Sequence, residues 1–514
     1  MRRREFGKTS LGLLGAGVLA SASELTGAEA AGAKGSSEKA ASAAPGDFPK
    51  TPGLTQYVGQ FVLQTKYENI PAEVIELSKK SILDGFGLAL AGSRAESGPI
   101  SRRYIEQCGG NGKATVIGTS MKTSPRFAAL LNGISIHADD FDDTQLAAAK
   151  DRVYGLLMHP TVPVLPAIFA LAEQRPVSGK DWLSAYQIGA EVNCKIAEAI
   201  SPRHYLDGFH TTGTCGPFGS AAACAKLLEF DLKKTLNSFG LAASHSGGFR
   251  ENFGTMTKPY QAGHAAESGL VSAEMVGLGW TAAEQILEAE RGFFHAAGGS
   301  YDPSAIMNRL GQPWTFTDPG VSLKPYPSGS LTHPAMTELA RLIQENNMQA
   351  AQVEKVDIGA NHNMVTTLLH HNPQTGLEAK FSMEFCIAIL LLEHKAGLSQ
   401  FSDKVVQRPD VKEMIRKINF YVDPQAESAG FDKMTSILKI TLKNGRIITG
   451  QAAFGKGSPA NPMSFDEASD KFRGCAEFAE WPQAKTKKII TFVKALETAP
   501  DVSALTLLLA AAAG

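Results

Sequence analysis

Apolar residues in the first three-fifths of the chain recur with the spacing of amphipathic helices. Ile188, Val192 and Ile196 stand four residues apart, as one buried face of a helix requires. Ser124 and Pro125 before another periodic stretch are typical of a helix start, with serine as the cap and proline in the first turn. No clear run of alternating apolar and polar residues interrupts these segments. We therefore predict a helical domain over residues 53–318.

The pattern changes after about residue 318. Residues 353–358 and 418–422 have the composition of strands, and residues 436–448 alternate around Asn444-Gly445, a strong hairpin signal. Helical segments near residues 336–343 and 383–392 separate these strands. The pattern predicts a smaller α+β domain over residues 319–462.

The last part of the chain returns to helix. Ser464 followed by Glu467 forms a capping box, and Ile489 and Val493 continue a helical apolar face. We predict that residues 463–514 complete the first helical domain. The predicted fold class is therefore mainly α with α+β: one large helical domain made from both chain ends, with the α+β domain inserted as a lid.

The amino terminus carries an export pattern. Residues 3–8 (RREFGK) resemble the twin-arginine signal R-R-x-F-x-K, and residues 28–30 (AEA) offer a cleavage site. The apolar stretch between them is too short and glycine-rich to span a bilayer stably. We predict a signal peptide over residues 1–30, a flexible linker over residues 31–52, a periplasmic location and no stable membrane anchor after cleavage. A disordered basic tail is the alternative.

Composition excludes several classes of partner. Lys and Arg number 50 against 51 Asp and Glu, and no basic stripe stands out, so no nucleic-acid partner is expected. The six cysteines are scattered without C-x-x-C pairs. Their spacing argues against a disulfide framework and against a thiolate zinc site.

An acidic motif is the first candidate for chemistry. Residues 139–143 (DDFDD) place four carboxylates within five positions, which raise one another's pKa unless partnered. If the preceding helix continues through them, His137, Asp140 and Thr144 share one face. A solvated acidic helix end is one alternative. A magnesium-diphosphate motif of prenyl-transferring enzymes is another, but the second Asp-rich motif it requires is missing from the sequence.

Two histidines and a lysine form the second group of candidates. His159 precedes a proline, and His210 is flanked by a hydroxyl residue and a phenylalanine in the segment 208–213 (GFHTTG). Lys258, between Thr257 and Pro259, could clamp a carboxylate or donate a proton inside a closed cavity. Each histidine alone is also compatible with a structural role. The glycine-rich segment 213–221 lacks the spacing of a nucleotide-binding loop.

A proline-rich segment lies at the predicted junction of the two domains. Residues 324–333 (KPYPSGSLTH) contain Lys324 and His333, and clefts between domains are favoured ligand sites. A plain interdomain linker is the alternative.

Together these segments resemble the MmgE/PrpD family, which includes 2-methylcitrate dehydratase and cis-aconitate decarboxylase. The resemblance covers roughly residues 53–500. The matching segments are residues 132–133 (NG), 140–144 (DFDDT), 159–161 (HPT), 208–210 (GFH), 257–259 (TKP), 324–327 (KPYP) and 378–382 (EAKFS).

The resemblance implies a helical domain with an inserted lid, a homodimer, and catalysis without metal or cofactor. The side chains assigned to catalysis are His159, His210, Lys258 and Asp140. Those assigned to substrate binding are Thr144, Arg152, Lys324, His333 and His371. Gly329 stands where the decarboxylase branch has a lid histidine, which argues against cis-aconitate decarboxylation, although His333 one helical turn later can compensate.

The predicted function is that of a lyase that removes a proton α to a carboxylate of a di- or tricarboxylate. A hydro-lyase similar to 2-methylcitrate dehydratase is the first interpretation, because a second acid can protonate a departing hydroxyl. A cis-aconitate-type decarboxylase or an epimerase on the same scaffold is the alternative. A non-catalytic periplasmic carboxylate-binding protein is the alternative from another class.

Overall fold

The structure, a computed structural model, describes residues 48–145, 158–200, 203–430 and 433–512. The signal peptide, most of the linker and Arg152 lie outside the described residues, so the predictions made for them stay predictions. Within the described ranges, no helix is long and apolar enough to cross a membrane.

Helices dominate the described chain, and their starts follow the capping pattern of the sequence. Asp231 and Ser464, for example, each accept a backbone N–H from the first turn of the helix that follows. The α-helices are α1 (Leu54–Gln64), α2 (Ala72–Gly92), α3 (Ser97–Gln107), α4 (Pro125–His137), α5 (Thr161–Ala172), α6 (Gly179–Ile200), α7 (Arg203–Leu206), α8 (Thr211–Leu227), α9 (Leu232–Ser244), α10 (Thr257–Gly277), α11 (Phe293–Gly298), α12 (His333–Asn346), α13 (His362–Thr367), α14 (Gly376–Ala379), α15 (Met383–Glu393), α16 (Asp403–Val406), α17 (Pro409–Ile415), α18 (Pro424–Ser428), α19 (Phe465–Phe478), α20 (Gln483–Lys494) and α21 (Ala504–Leu509).

The strands of the described residues form one four-stranded sheet and two small pairs. The strands are β1 (Ala114–Thr115), β2 (Lys122–Thr123), β3 (Thr144–Gln145), β4 (Val321–Ser322), β5 (Val353–Ala360), β6 (Ile418–Val422), β7 (Ser436–Leu442) and β8 (Ile447–Ala452). The sheet has the order β6-β5-β7-β8, in which only the β5–β6 pair is parallel. Gly445 turns the predicted β7–β8 hairpin with a φ of 83°.

The helical core is built from both ends of the chain. Phe86 of α2 and Trp182 of α6 belong to the same buried cluster as Phe472 of α19 and Ile489 of α20. The amphipathic helices bury these apolar faces against one another because no single helix can cover its own. The predicted helical domain from both chain ends is therefore confirmed.

A second core belongs to the sheet. Helices α12 and α15 cover it, and Met336, Phe385, Val356 and Leu438 are fully buried there. This arrangement confirms the predicted fold class, mainly α with an α+β part. The domain boundaries themselves stay predictions.

One close helix crossing sets the position of the site described below. A Cβ atom at Gly133 in α4 would lie 2.6 Å from Cα of Gly263 in α10, so only glycine permits this approach. Helix α4 ends at His137 and α10 begins at Thr257. The crossing therefore brings the segment after α4 beside Lys258.

Candidate active site

The acidic motif is a loop, so the continued helix that would place His137, Asp140 and Thr144 on one face is not present. Helix α4 ends at His137, Asp140 has a left-handed φ of 49°, and Thr144 lies in β3. Aspartate tolerates this backbone region better than most residues, and such outliers cluster at functional sites. The chain turns back because β3 pairs with β4 through Thr144 and Ser322, which brings Lys324 to the loop.

Three lysines hold three successive carbonyl groups of this loop. Lys380 Nζ lies 2.8 Å from the carbonyl oxygen of Asp139, Lys324 Nζ 2.7 Å from that of Asp140, and Lys471 Nζ 2.7 Å from that of Phe141. All three lysine side chains are buried, at 2–6 % exposure. The loop is thus fixed by the α+β part and by α19 together.

Asp140 is the centre of the charged group. Lys258 Nζ donates to Oδ1 of Asp140, and Lys324 Nζ lies 2.9 Å from Oδ2. Burial alone would raise the pKa of Asp140, but Lys258 and Lys324 outweigh it and hold this pKa well below its usual value. Two buried cations therefore share one carboxylate, and the group retains one net positive charge.

His159 presents an unprotonated nitrogen to the same place. Its Nδ1 lies 2.8 Å from the carbonyl oxygen of Asp143, so Nδ1 carries the proton and donates it. Its Nε2 lies 3.9 Å from Oδ1 of Asp140, beyond hydrogen-bond distance. The backbone N–H of His159 donates to Thr212 Oγ1 in the first turn of α8, at 3.1 Å. The imidazole is therefore oriented with Nε2 as its unprotonated nitrogen.

His210 is oriented in the same manner. Its Nδ1 lies 2.7 Å from Oε1 of Gln261, and the amide group of Gln261 is fixed because its Nε2 donates to the carbonyl of Phe249. Nδ1 is thus the protonated nitrogen. Nε2 is buried and has no hydrogen-bond partner among the described residues.

His137 stands behind these two histidines. Its Nδ1 is 2.9 Å from both carboxylate oxygens of Asp142, and its ring centroid lies 4.5 Å from that of His159 and 5.9 Å from that of His210. Burial, followed by the nearby charge of Lys258, lowers the pKa of His137 well below the usual value. Burial likewise lowers the pKa values of His159 and His210. All three imidazoles are neutral at pH 7.

The pKa of Asp143 is shifted in the opposite direction, upwards. Both of its carboxylate oxygens accept from Thr161, one from the backbone N–H and one from the hydroxyl, and Thr161 Oγ1 also lies 2.6 Å from the Tyr186 hydroxyl. Burial raises the pKa of Asp143 to about 7. This carboxyl group joins the loop to Thr161 in α5 and does not line the cavity.

A cavity of about 900 Å³ lies over this group, between the helical and α+β parts. The predicted site residues that line it are Asp140, Thr144, His159, His210, Lys258 and Lys324. Thr144 Oγ1 is buried and has no hydrogen-bond partner in the described chain. The sequence motifs thus converge on one site.

Two predicted substrate-binding residues are not part of the lining. His333 is buried, with Nε2 3.2 Å from the carbonyl of Ser328, and burial lowers its pKa to about 3. His371 is exposed and bonds Glu384 at 2.8 Å, while its neighbour His370 faces the cavity. Nε2 of His333 thus faces the backbone, and compensation for Gly329 by this residue stays a prediction.

Sequence reasoning did not assign several residues of the site. Arg250 lines the cavity, packs over the Tyr205 ring at 3.9 Å and has a buried Nε without a partner among the described residues. His137 precedes the acidic motif and Lys380 lies within the motif 378–382, but neither was assigned a role. Lys471 comes from α19, far away in sequence, and no local pattern marked it.

One set of side chains could be considered for a metal ion. His137, Asp140, Asp142 and His159 offer ligand atoms within 4.8 Å of one another. Both oxygens of Asp140 already accept from lysines, and both oxygens of Asp142 face the Nδ1 of His137. Two adjacent ammonium groups would also repel a dication. The donor set fits a divalent cation poorly.

Buried neutral histidines, a carboxylate held by two lysines and a cavity between the helical and α+β parts define a site for acid–base chemistry on an anionic ligand. The MmgE/PrpD N-terminal domain matches residues 56–305, and the MmgE/PrpD C-terminal domain matches residues 326–498. The chain belongs to the MmgE/PrpD family, as its motifs predicted.

Curated relatives extend over almost the whole chain. It is 29% identical to human cis-aconitate decarboxylase over 469 residues, which cover 89% of this chain and 94% of the relative. It is 28% identical to the mouse enzyme of the same name, over 89% of this chain and 93% of the relative. It is 27% identical to cis-aconitate decarboxylase of Aspergillus terreus, over 88% of this chain and 95% of the relative. These relatives are lyases.

Proposed function

We propose that the protein is a lyase that acts on a carboxylate substrate with its own side chains, by decarboxylation of the cis-aconitate type. The observation that carries this proposal is the convergence of His159 and His210, each oriented by a hydrogen bond at Nδ1, on the pair of lysines around Asp140. Such a group can bind a carboxylate and move a proton beside it.

The charges of the site suit each step of this reaction. Loss of carbon dioxide breaks the bond from a carboxyl carbon to its neighbour and leaves the electron pair on that neighbour. Lys258 and Lys324 stabilise the developing negative charge. Burial lowers the pKa of Lys258, which makes its ammonium group a better proton donor to that carbon. Solvent then returns a proton to Lys258.

Dehydration was the first interpretation of the sequence, and decarboxylation now replaces it as the main proposal. Support comes from the names of the human, mouse and fungal relatives. Gly329 remains a departure from the decarboxylase branch, and it lines the cavity. An epimerase would use the same histidines to remove and return one proton.

Independence from metal and cofactor, a homodimeric state and a periplasmic location are part of the proposal. The poor fit of the His137–Asp142 group to a dication supports the first of these. Full activity after treatment with a chelator would agree with independence from metal. Light scattering of the mature protein tests the homodimer.

The decisive experiment follows substrate signals by proton NMR in deuterium oxide, with cis-aconitate and a panel of di- and tricarboxylates in the presence of a chelator. We expect loss of carbon dioxide and one deuterium on the carbon that lost it. His159→Gln and His210→Gln should remove the activity. His295→Gln, an exposed histidine that packs on Phe48, is the matched control. No reaction across the panel, in folded protein, would favour the carboxylate-binding alternative.

A further inference from the structure

Two of the histidines that line the cavity, His159 and His210, are backed by groups of different charge. Nδ1 of His159 donates to the carbonyl oxygen of Asp143 at 2.8 Å and lies 3.4 Å from Oδ1 of Asp142. Nδ1 of His210 donates to the side-chain oxygen of Gln261 at 2.7 Å. A carboxylate therefore lies behind one imidazole and a neutral amide behind the other, although both rings have the same tautomer.

Asp142 is a buried carboxylate that two imidazoles share. The residue is 1 % exposed, and Nδ1 of His137 lies 2.9 Å from each of its oxygens. The ring centroids of His137 and His159 are 4.5 Å apart. The side chains of all three residues are buried or nearly so, which means that solvent screens the charge of Asp142 only weakly.

The proton donor Lys258 lies next to His159. Oδ1 of Asp140 accepts from Lys258 Nζ and lies 3.9 Å from Nε2 of His159, so both nitrogens adjoin the same oxygen. Lys324 bonds the other oxygen of Asp140, and the group carries one net positive charge. This charge disfavours a protonated His159. The carboxylate of Asp142, on the opposite nitrogen of the ring, favours one.

The two rings therefore differ in the cost of taking up a proton. Burial lowers the pKa of His159 well below the usual value, and Asp142 is the charge that most strongly opposes this shift. Burial and the charge of Lys258 lower the pKa of His210, whose Nδ1 faces only the neutral amide of Gln261. A buried charge without a counterion is costly. His159 can thus be protonated transiently at a lower cost than His210.

Building on the proposed function, we propose that His159 carries the proton that returns to Lys258, and that Asp142 is the positioning residue that stabilises the protonated ring. Carbon dioxide leaves the substrate, and the carbon that keeps the electron pair takes a proton from the ammonium group of Lys258. Nε2 of His159 takes a proton from solvent and passes it to the resulting amine. Both side chains then have the protons with which they began, and His210 remains neutral throughout.

The first test separates proton transfer from binding. Asp142→Asn preserves the size of the side chain and removes a charge that is needed only while His159 is protonated. With cis-aconitate, kcat should fall on the order of 100-fold, the lower range for acid–base catalysis, while KM stays close to that of wild type. Calorimetry should give unchanged affinity for propane-1,2,3-tricarboxylate, a saturated analogue.

The pH dependence distinguishes the lost charge from a displaced loop. The deficit of Asp142→Asn in kcat should shrink as the pH falls, because a higher proton concentration offsets the lowered proton affinity of His159. A displaced loop would lower kcat by the same factor at every pH. Asp231→Asn is the matched control, because Asp231 caps α9 outside the cavity lining and asparagine caps equally well. It should keep the wild-type kcat.

A second test adds imidazole from solution and needs no change at Asp142. In His159→Ala, added imidazole should raise turnover at least about tenfold, part of the contribution of a general acid or base. The same addition should leave His210→Ala unchanged. In His159→Ala combined with Asp142→Asn, imidazole should restore less, because the carboxylate that stabilises its protonated form is missing.

The outcomes separate the two proposals. Wild-type turnover together with an unchanged kcat in folded Asp142→Asn would overturn the role of Asp142 and leave the lyase standing. Equal restoration of His159→Ala and His210→Ala by imidazole, or none in either, would overturn His159 as the proton carrier. No turnover by wild type across the carboxylate panel would contradict the lyase itself, and this proton route with it.

Discussion

Lys324 Nζ binds Asp140 twice, at 2.7 Å to its carbonyl oxygen and at 2.9 Å to Oδ2 of its carboxylate. The lysine follows β4, and the aspartate precedes β3, its antiparallel partner. One side chain thus fixes both the left-handed backbone of Asp140 and the direction of its carboxylate. Lys324 completes the charged group around Asp140 and Lys258 only when the segment after β4 packs on the loop.

Replacing Lys324 should therefore impair activity and stability together. In Lys324→Met, kcat/KM should fall at least about tenfold and the free energy of unfolding by about 1.5–3 kcal/mol, the range for losing a hydrogen bond to a charged group. Lys355→Met is the control, because Lys355 pairs with Asp357 on the exposed surface. It should change stability by less than about 1 kcal/mol and leave kcat/KM unchanged. Equal effects of the two variants in urea unfolding and kinetics would contradict the assignment.

Lys258 should matter more for turnover than for folding. We expect Lys258→Met to lower turnover by about tenfold or more, the scale for a lost charged hydrogen bond, in a protein that remains folded. A double-mutant cycle with Asp140→Asn should give a coupling energy in unfolding of about 0.5–3 kcal/mol, as for residues in direct contact. Wild-type kinetics in Lys258→Met would remove this residue from the site, and a coupling near zero would contradict its pairing with Asp140.

The acid limb of the pH profile should lie below the ordinary histidine range. Burial lowers the pKa values of His159 and His210 well below the usual value, so both imidazoles stay unprotonated as the pH falls past about 6.5. The profile of kcat/KM, which reports the free enzyme, should thus stay level from about pH 7.5 to about pH 6. A decline centred near pH 6.5 would contradict the lowered pKa values of His159 and His210.

Asp143 should make stability depend on pH. Its pKa is raised to about 7, so the folded protein binds one proton more than the unfolded chain between about pH 4 and pH 7. The free energy of unfolding therefore falls with rising pH in this window, by up to about 1.4 kcal/mol per pH unit from this group. Asp143→Asn does not titrate at this position.

The pH dependence caused by Asp143 is tested by the difference in the free energy of unfolding between Asp143→Asn and wild type. This difference cancels the other titrating groups and should grow in favour of the variant from about pH 5 to about pH 7, then level off. A difference that does not change with pH would show that Asp143 is ionised throughout.

Export can be tested at two residues. Arg3→Lys combined with Arg4→Lys should keep the protein in the cytoplasm, because the predicted transport signal requires both arginines. Cell fractionation of a bacterium that expresses the full chain measures the result. Arg94→Lys, well beyond the predicted signal, is the control. A double variant that still reaches the periplasm would contradict the twin-arginine prediction.

Local patterns were sufficient for most elements of the fold. The four-residue spacing of Ile188, Val192 and Ile196 predicted α6, and Asn444-Gly445 predicted the β7–β8 hairpin. Both signals depend only on residues that are neighbours in sequence. The start of α8 at Thr211 has no such local signal, since its first turns contain glycines and a proline that weaken the helical pattern.

The sequence by itself determined the fold class, the family and the six predicted residues that line the cavity, since each of them lies in a short motif. Only the tertiary structure decided that the acidic motif is a loop, which lysines hold it, and that His333 turns away. A buried charge depends on partners from distant segments, such as Lys471 for the carbonyl of Phe141. Their approach is set by helix crossings and strand pairing, which no local pattern encodes.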